Sequence, residues 1–189
     1  MKIGLIGAGR LGICLALLLE KAGYEVIVSD CRDDYITRLN NRIINTNEPQ
    51  VVEMLDDAKN FVATLDNVEV IKNCDIIYTL VPTPSLLDGS YDVSAIWQVV
   101  EDFKNCEFPI HGKTFVVGCT TNPGDCEMFQ EQLNAYGIDV YYNPEFIAQG
   151  SIIKDLQYAD MVLIGGEGNY LDVIKEIYIR SISKPRNII

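Results

Sequence analysis

The sequence predicts an α/β protein with a doubly wound, mainly parallel sheet, on three observations. Short apolar, β-rich runs alternate with longer helical patterns, which is the signature of strand–helix–strand units. The 189 residues, 48% of them hydrophobic, suit one ordinary domain with a real core, and no linker, repeat or low-complexity run divides them. The polar clusters fall just past the carboxyl ends of the predicted strands, where such sheets bind ligands. One domain over residues 1–189 is therefore expected.

The first strand is predicted over 3–6. A helix over 11–22 follows, with Leu15, Leu18 and Leu19 at helical spacing and Gly23 to stop it. Residues 26–28 read as the second strand, 33–40 as a helix and 45–48 as a polar connection. Pro49 suits the start of another helix, where a proline loses no hydrogen bond. A strand is expected over 61–63, a short helix over 65–72, and a strand over 75–81 that Pro82 must end. Helices over 93–103 and 125–135 flank a strand over 114–117. Strands over 140–142 and 161–164 and a helix over 170–179 close the series.

The formal net charge of -12 argues against a nucleic-acid partner, whose binding rests largely on counterion release by Lys and Arg. The opening Met1-Lys2-Ile3-Gly4 lacks a signal-peptide layout, and no apolar run is long enough to span a bilayer. The six cysteines (Cys14, Cys31, Cys74, Cys106, Cys119, Cys126) form no CxxC pair and have no histidine at metal-ligand spacing. They read as reduced thiols of a cytoplasmic protein, and no metal is expected. The single histidine, His111, lies in a turn-like Pro-Ile-His-Gly stretch and reads as solvated.

Gly7-Ala8-Gly9-Arg10-Leu11-Gly12 matches G-x-G-x-x-G, between a strand and a helix as the mechanism requires. Gly7 permits the tight turn, Gly9 lets the backbone approach a pyrophosphate, and Gly12 lets the helix pack on the strand. The helix N-terminus offers free N–H groups and a positive dipole end to that pyrophosphate. Asp30 lies 18 residues beyond Gly12, close to the spacing of about 20 at which a carboxylate meets the ribose hydroxyls. It would repel a 2′-phosphate, so NAD is favoured, while nearby Arg32 leaves NADP open. Gly7, Gly9, Arg10, Leu11, Gly12 and Asp30 are thus the expected cofactor contacts of a Rossmann-type domain. The plainer alternative is a tight turn and a surface acid.

Later segments resemble one family in order: Asn47-Glu48-Pro49; Val81-Pro82-Thr83-Pro84 with Asp88-Gly89 and Asp92; and Cys119-Thr120-Thr121-Asn122-Pro123-Gly124. After these come Asn143-Pro144-Glu145-Phe146-Ile147-Ala148-Gln149-Gly150, then Lys154-Asp155-Leu156 and Ile164-Gly165-Gly166. Together they resemble the nucleotide-sugar dehydrogenases, the UDP-glucose and GDP-mannose 6-dehydrogenases, and the UDP-glucose enzymes most. The resemblance implies oxidation of a sugar CH2OH to a carboxylate with two NAD+, through an aldehyde that a cysteine thiol captures, that is oxidised again to a thioester and that water releases. It assigns Thr83, Thr120 and Gln149 to the cofactor, and Thr120 also to an active-site water. Glu145 becomes an acid–base group, and Glu145, Phe146, Ile147, Ala148 and Gln149 become contacts to a nucleotide sugar, with UDP-glucose the expected substrate.

Read without the family, the two prolines around Thr83 could simply end a strand, Thr121 could cap a helix, and Glu145 could be a solvated loop acid. A carboxylate in a cleft would instead be partly desolvated and lifted toward the range useful for proton transfer.

The sequence also departs from the family. Gln149 stands where a glutamate is usual, Tyr35 where a basic residue often holds the ribose, Cys119 replaces a serine and Asn122 a proline. No cysteine here has the family's Gly-x-Cys-x-x-Lys-Asp setting, and the long central helix is missing. The chain is expected to be a fragment carrying the cofactor half, inactive alone, and dimeric or larger only at full length. Two alternatives stand beside it: a β-hydroxyacid or 6-phosphogluconate-type dehydrogenase, and a non-catalytic nucleotide-sensing module.

Overall fold

Parallel strands buried on both faces must be apolar throughout rather than alternating, and the central strands of this chain are. The structure, a computed structural model, describes residues 1–148, 150–181 and 187–189. Its strands are β1 (Lys2–Ile6), β2 (Glu25–Ser29), β3 (Phe61–Thr64), β4 (Ile76–Thr79), β5 (Thr114–Val117) and β6 (Asp139–Tyr142). They form one sheet in the order β3-β2-β1-β4-β5-β6, every pairing parallel. The chain moves outward from β1 to β3, then returns to lay β4 on the other side of β1. That reversal opens a crevice at the carboxyl ends of β1 and β4.

The helices are α1 (Arg10–Lys21), α2 (Asp33–Asn40), α3 (Val51–Asp57), α4 (Asn67–Asn73), α5 (Ser94–Lys104), α6 (Asp125–Leu133), α7 (Ile152–Gln157) and α8 (Leu171–Ser181). Successive strand residues point to opposite faces, and each face has its own core. Ile76, Tyr78 and Val116 join a cluster with residues of α1, α3, α7 and α8. Ile77, Phe115 and Val117 join a second with residues of α4, α5 and α6.

Most elements lie where the sequence puts them, with α2 and β5 matching to the residue. The exceptions have local causes. The short helix starts at Asn67 rather than 65, because the Asp66 carboxylate caps it by accepting from Val68 N at 2.8 Å. Pro49 lies in a turn, and α3 begins two residues later, after Gln50 at φ 70°. β4 stops at Thr79 because its neighbour β1 ends at Ile6, where the chain turns. Residues 161–164 add no strand to the sheet. Val162 forms an isolated bridge to Ile188, and Gly165 an antiparallel one to Tyr142. The unforeseen α7 is six residues long, too short to show a helical period in the sequence.

Phe115 is fully buried and meets Phe103 edge-on with ring centroids 5.2 Å apart. Phe115→Ala is expected to cost about 3–5 kcal/mol, read as a lowered urea midpoint.

Candidate functional site

The β1–α1 turn is shaped by close approaches. Gly7 has φ 100°, and a Cβ there would lie 2.5 Å from the Leu80 carbonyl oxygen. A Cβ on Gly12 would fall 2.0 Å from the Gly7 carbonyl oxygen, so only glycine lets α1 sit this near the turn. Gly9 differs. Its φ of -64° suits any residue, and a Cβ there would meet nothing within 4 Å. That open space lies at the N-terminus of α1, the cradle a pyrophosphate needs. Arg10 and Leu11 open the helix, the first exposed and the second half-buried against the core.

Asp30, one residue past β2, is joined to this turn by Ala8 N donating to Oδ2 at 3.2 Å. Arg32 forks onto the same carboxylate, with Nε 2.7 Å from Oδ1 and Nη2 2.8 Å from Oδ2, and its main-chain N donates to Oδ1 at 3.1 Å. Burial pushes the Asp30 pKa up, but the Arg32 bonds outweigh it and hold the carboxyl below its ordinary value. The guanidinium also stacks on Tyr35, 4.1 Å from the ring centroid. The basic group at this corner therefore comes from Arg32. A carboxylate has about four lone-pair sites, and all four here are in use, so ribose hydroxyls must displace part of the fork.

Thr83 and Thr120 follow β4 and β5, which are paired neighbours in the sheet. Among the described residues neither hydroxyl has a hydrogen-bond partner within the protein. The segments carrying them are joined by Asn122, whose Oδ1 accepts from Tyr91 N at 2.8 Å and whose Nδ2 donates to Tyr91 O at 3.0 Å. Asp125 Oδ2 accepts from both nitrogens of Asn122. Asn122 thus ties the turn after β5 to the loop after β4. The N-cap of α6 is Gly124, so Thr121 does not cap that helix.

Glu145 lies on the loop after β6. Its Oε1 is 2.5 Å from the hydroxyl of Tyr178 on α8, which also bonds to Asn143. Burial lifts the Glu145 pKa to about 7, against a smaller lowering by the Tyr178 hydroxyl. Phe146 and Ala148 are exposed and Ile147 is half-buried, whereas Gln149 lies outside the described residues. Two acids hold this loop. Glu48, buried, accepts from Gly150 N at 2.7 Å and Ile152 N at 3.2 Å. Asp155 accepts from Ala148 N and the Ser151 hydroxyl, both at 2.8 Å.

The sheet thus brings the glycine turn, Asp30, Thr83, Thr120 and Glu145 to one edge. From β2 to β6 that edge runs about 19 Å at ordinary strand spacing. A cavity of about 1030 Å³ beside β6 touches the turn after β5 at Thr121 and Asn122. The anchoring role of Glu48 and the whole of Tyr178 are absent from the sequence-derived site. An acid inside a polar connection and the family-like Asn47-Glu48-Pro49 segment were the visible signals for the first, and nothing marked the second. Among the described residues there is no group of three potential metal ligands and no helix long and apolar enough to cross a membrane. All six cysteines are free.

Two glycine substitutions separate fold from binding. Gly12→Ala is expected to lower the melting temperature, because backbone must move. Gly9→Ala is expected to keep it while weakening NADH, in fluorescence titration, by at least about tenfold. The Glu145 carboxyl binds its proton more tightly folded than unfolded, where its pKa is about 4.3. Its contribution is therefore fully present below about pH 4.3 and lost as pH rises through about 7. Glu145→Gln should flatten that decline, so that in denaturation from pH 5 to 8 the variant gains on the parent as pH rises.

The family model described as UDP-glucose/GDP-mannose dehydrogenase family, NAD binding domain, matches residues 1–182. A UDP-glucose 6-dehydrogenase of Rickettsia prowazekii is 29% identical over 177 residues, spanning 87% of this chain and 39% of that protein. A UDP-N-acetyl-D-mannosamine dehydrogenase of Pyrococcus horikoshii is 25% identical over 195 residues, spanning 98% of this chain and 46% of its own. The ternary complex of GDP-mannose dehydrogenase from Pseudomonas aeruginosa superposes with a TM-score of 0.88 at 26% identity, over 100% of this chain and 46% of that one. The chain spans less than half the length of the curated relatives it matches. With a glycine cradle and a ribose-side carboxylate that fit NAD, the chain belongs to the UDP-glucose/GDP-mannose dehydrogenase family and corresponds to its NAD-binding domain.

Proposed function

We propose that these 189 residues form the NAD-binding domain of a cytoplasmic dehydrogenase that oxidises the C6 hydroxymethyl of a UDP-sugar, UDP-glucose first among them, to a carboxylate. One observation carries the reading: a carboxyl with its pKa lifted to about 7, Glu145, shares a sheet edge with the complete cradle of Gly7, Gly9, Gly12 and Asp30. When bound, NAD+ supplies a hydride acceptor. The chain's own groups do the rest. Gly9 and the first N–H groups of α1 receive the pyrophosphate with Arg10 and Leu11 beside it, and Asp30 takes the ribose hydroxyls as the Arg32 fork opens.

Thr83 and Thr120 offer free hydroxyls on the nicotinamide side, and Gln149 is assigned to the same cofactor. Thr120 also orients the reacting water. Glu145 holds or releases a proton at Oε1, where a pKa near the working pH makes both directions accessible. Phe146, Ile147 and Ala148 face the nucleotide sugar. No cysteine among the six has the family's nucleophile setting, so this chain alone is expected to bind cofactor without turning substrate over.

Calorimetric titration tests the cofactor half. Saturable NADH binding is expected, with NADPH weaker by at least about tenfold because Asp30 repels a 2′-phosphate, and with NADH affinity lost in Asp30→Ala. A chain that prefers NADPH, or binds neither, refutes the proposal.

A further inference from the structure

Tyr178 is 1% exposed, and its hydroxyl faces two oxygens, Asn143 Oδ1 and Glu145 Oε1. The Asn143 amide is oriented by its other end. The Leu163 carbonyl can only accept, so Nδ2 points to it at 2.8 Å and Oδ1 turns to Tyr178. A phenol has one proton to give. When Glu145 is ionised, two acceptors compete for that proton and one goes without. When Glu145 is protonated every group is satisfied: Glu145 donates to the Tyr178 oxygen, Tyr178 to Asn143, and Asn143 to Leu163.

We propose that Tyr178 is a positioning residue for Glu145, turning its O–H from Asn143 to Glu145 as the carboxyl gives up its proton and back as the proton returns. The assignment rests on reading Glu145 as the acid–base group of the site. Tyr178 keeps its one proton throughout, and the proton that Glu145 releases goes to water. Burial supports both halves, lifting Glu145 to about 7 and raising the Tyr178 phenol so far that it stays neutral. Among the described residues the other titratable neighbours are phenols. Glu145 raises Tyr78 on β4, Tyr78 raises Tyr178, and Tyr24, ahead of β2 with the Arg180 guanidinium over its ring, also raises Tyr78. Burial raises Tyr78 as well, so it brings no charge to the pair.

Carbon-13 NMR of the Glu145 carboxyl against pH, assigned by its loss in Glu145→Gln, tests the exchange on this chain without cofactor. Tyr178→Phe removes the one donor to the ionised form among the described residues and is expected to move the Glu145 midpoint upward by about one pH unit. A merely structural role predicts the opposite, since a loosened pocket admits water and lets the carboxyl fall toward its ordinary range. A midpoint that is unchanged or lowered overturns the proposal. Should Tyr178→Phe fail to fold, the parent chain decides. The Tyr178 Cζ resonance is expected to titrate with Glu145 and to be flat in Glu145→Gln, and a flat resonance in the parent overturns the proposal. Failure of NADH to bind would count against the function proposed above and not against this exchange.

Discussion

The first helix can lie against the first strand only because two residues there have no side chain. The Gly7 carbonyl occupies the space a Cβ on Gly12 would need, and the Leu80 carbonyl crowds Gly7 from the far side of the crevice. Everything at the sheet edge is measured from that contact. It sets where α1 begins, leaves Gly9 facing open space, and seats β4 against β1 at the chain's reversal. Asp30 is held to the same turn through Ala8 N.

Two carboxyls stand along this edge in opposite states, for reasons that can be separated. Asp30 is half-buried yet held ionised, because a bidentate guanidinium and two backbone N–H groups outweigh the cost of desolvation. Among the described residues Glu145 has no cation, only a neutral phenol, so burial wins and its proton is kept to near neutrality. One group suits holding a neutral diol and the other suits exchanging a proton, which is the division a dehydrogenase site asks for.

Much of this was legible in the sequence where the cause is local. The glycine spacing, the acid after the second strand and the continuous apolar runs each declare themselves within a few residues, and β5 and α2 came out to the residue. What escaped depends on partners distant in the chain. The apolar run at 161–164 looks like a strand, but whether it enters the sheet depends on which neighbour it meets, and it meets only isolated bridges. Tyr178 reads as one more apolar residue on a helix stripe until the fold sets Asn143 and Glu145 before it. Glu48 reads as part of a polar connection and of a family-like Asn-Glu-Pro segment, with no role of its own, until its carboxylate is found buried against Gly150 and Ile152.

The Glu48 anchor joins residues 102 and 104 positions apart. Such a loop closes late, because long-range contacts need the intervening chain in place. During synthesis β1, α1 and β2 emerge first and can make the glycine turn among themselves, while the Glu48 carboxylate stays in water until the chain has grown past Ile152. The nucleotide cradle and the loop carrying Glu145 are therefore assembled at different times. A nascent chain passes through a stage that has the first without the second.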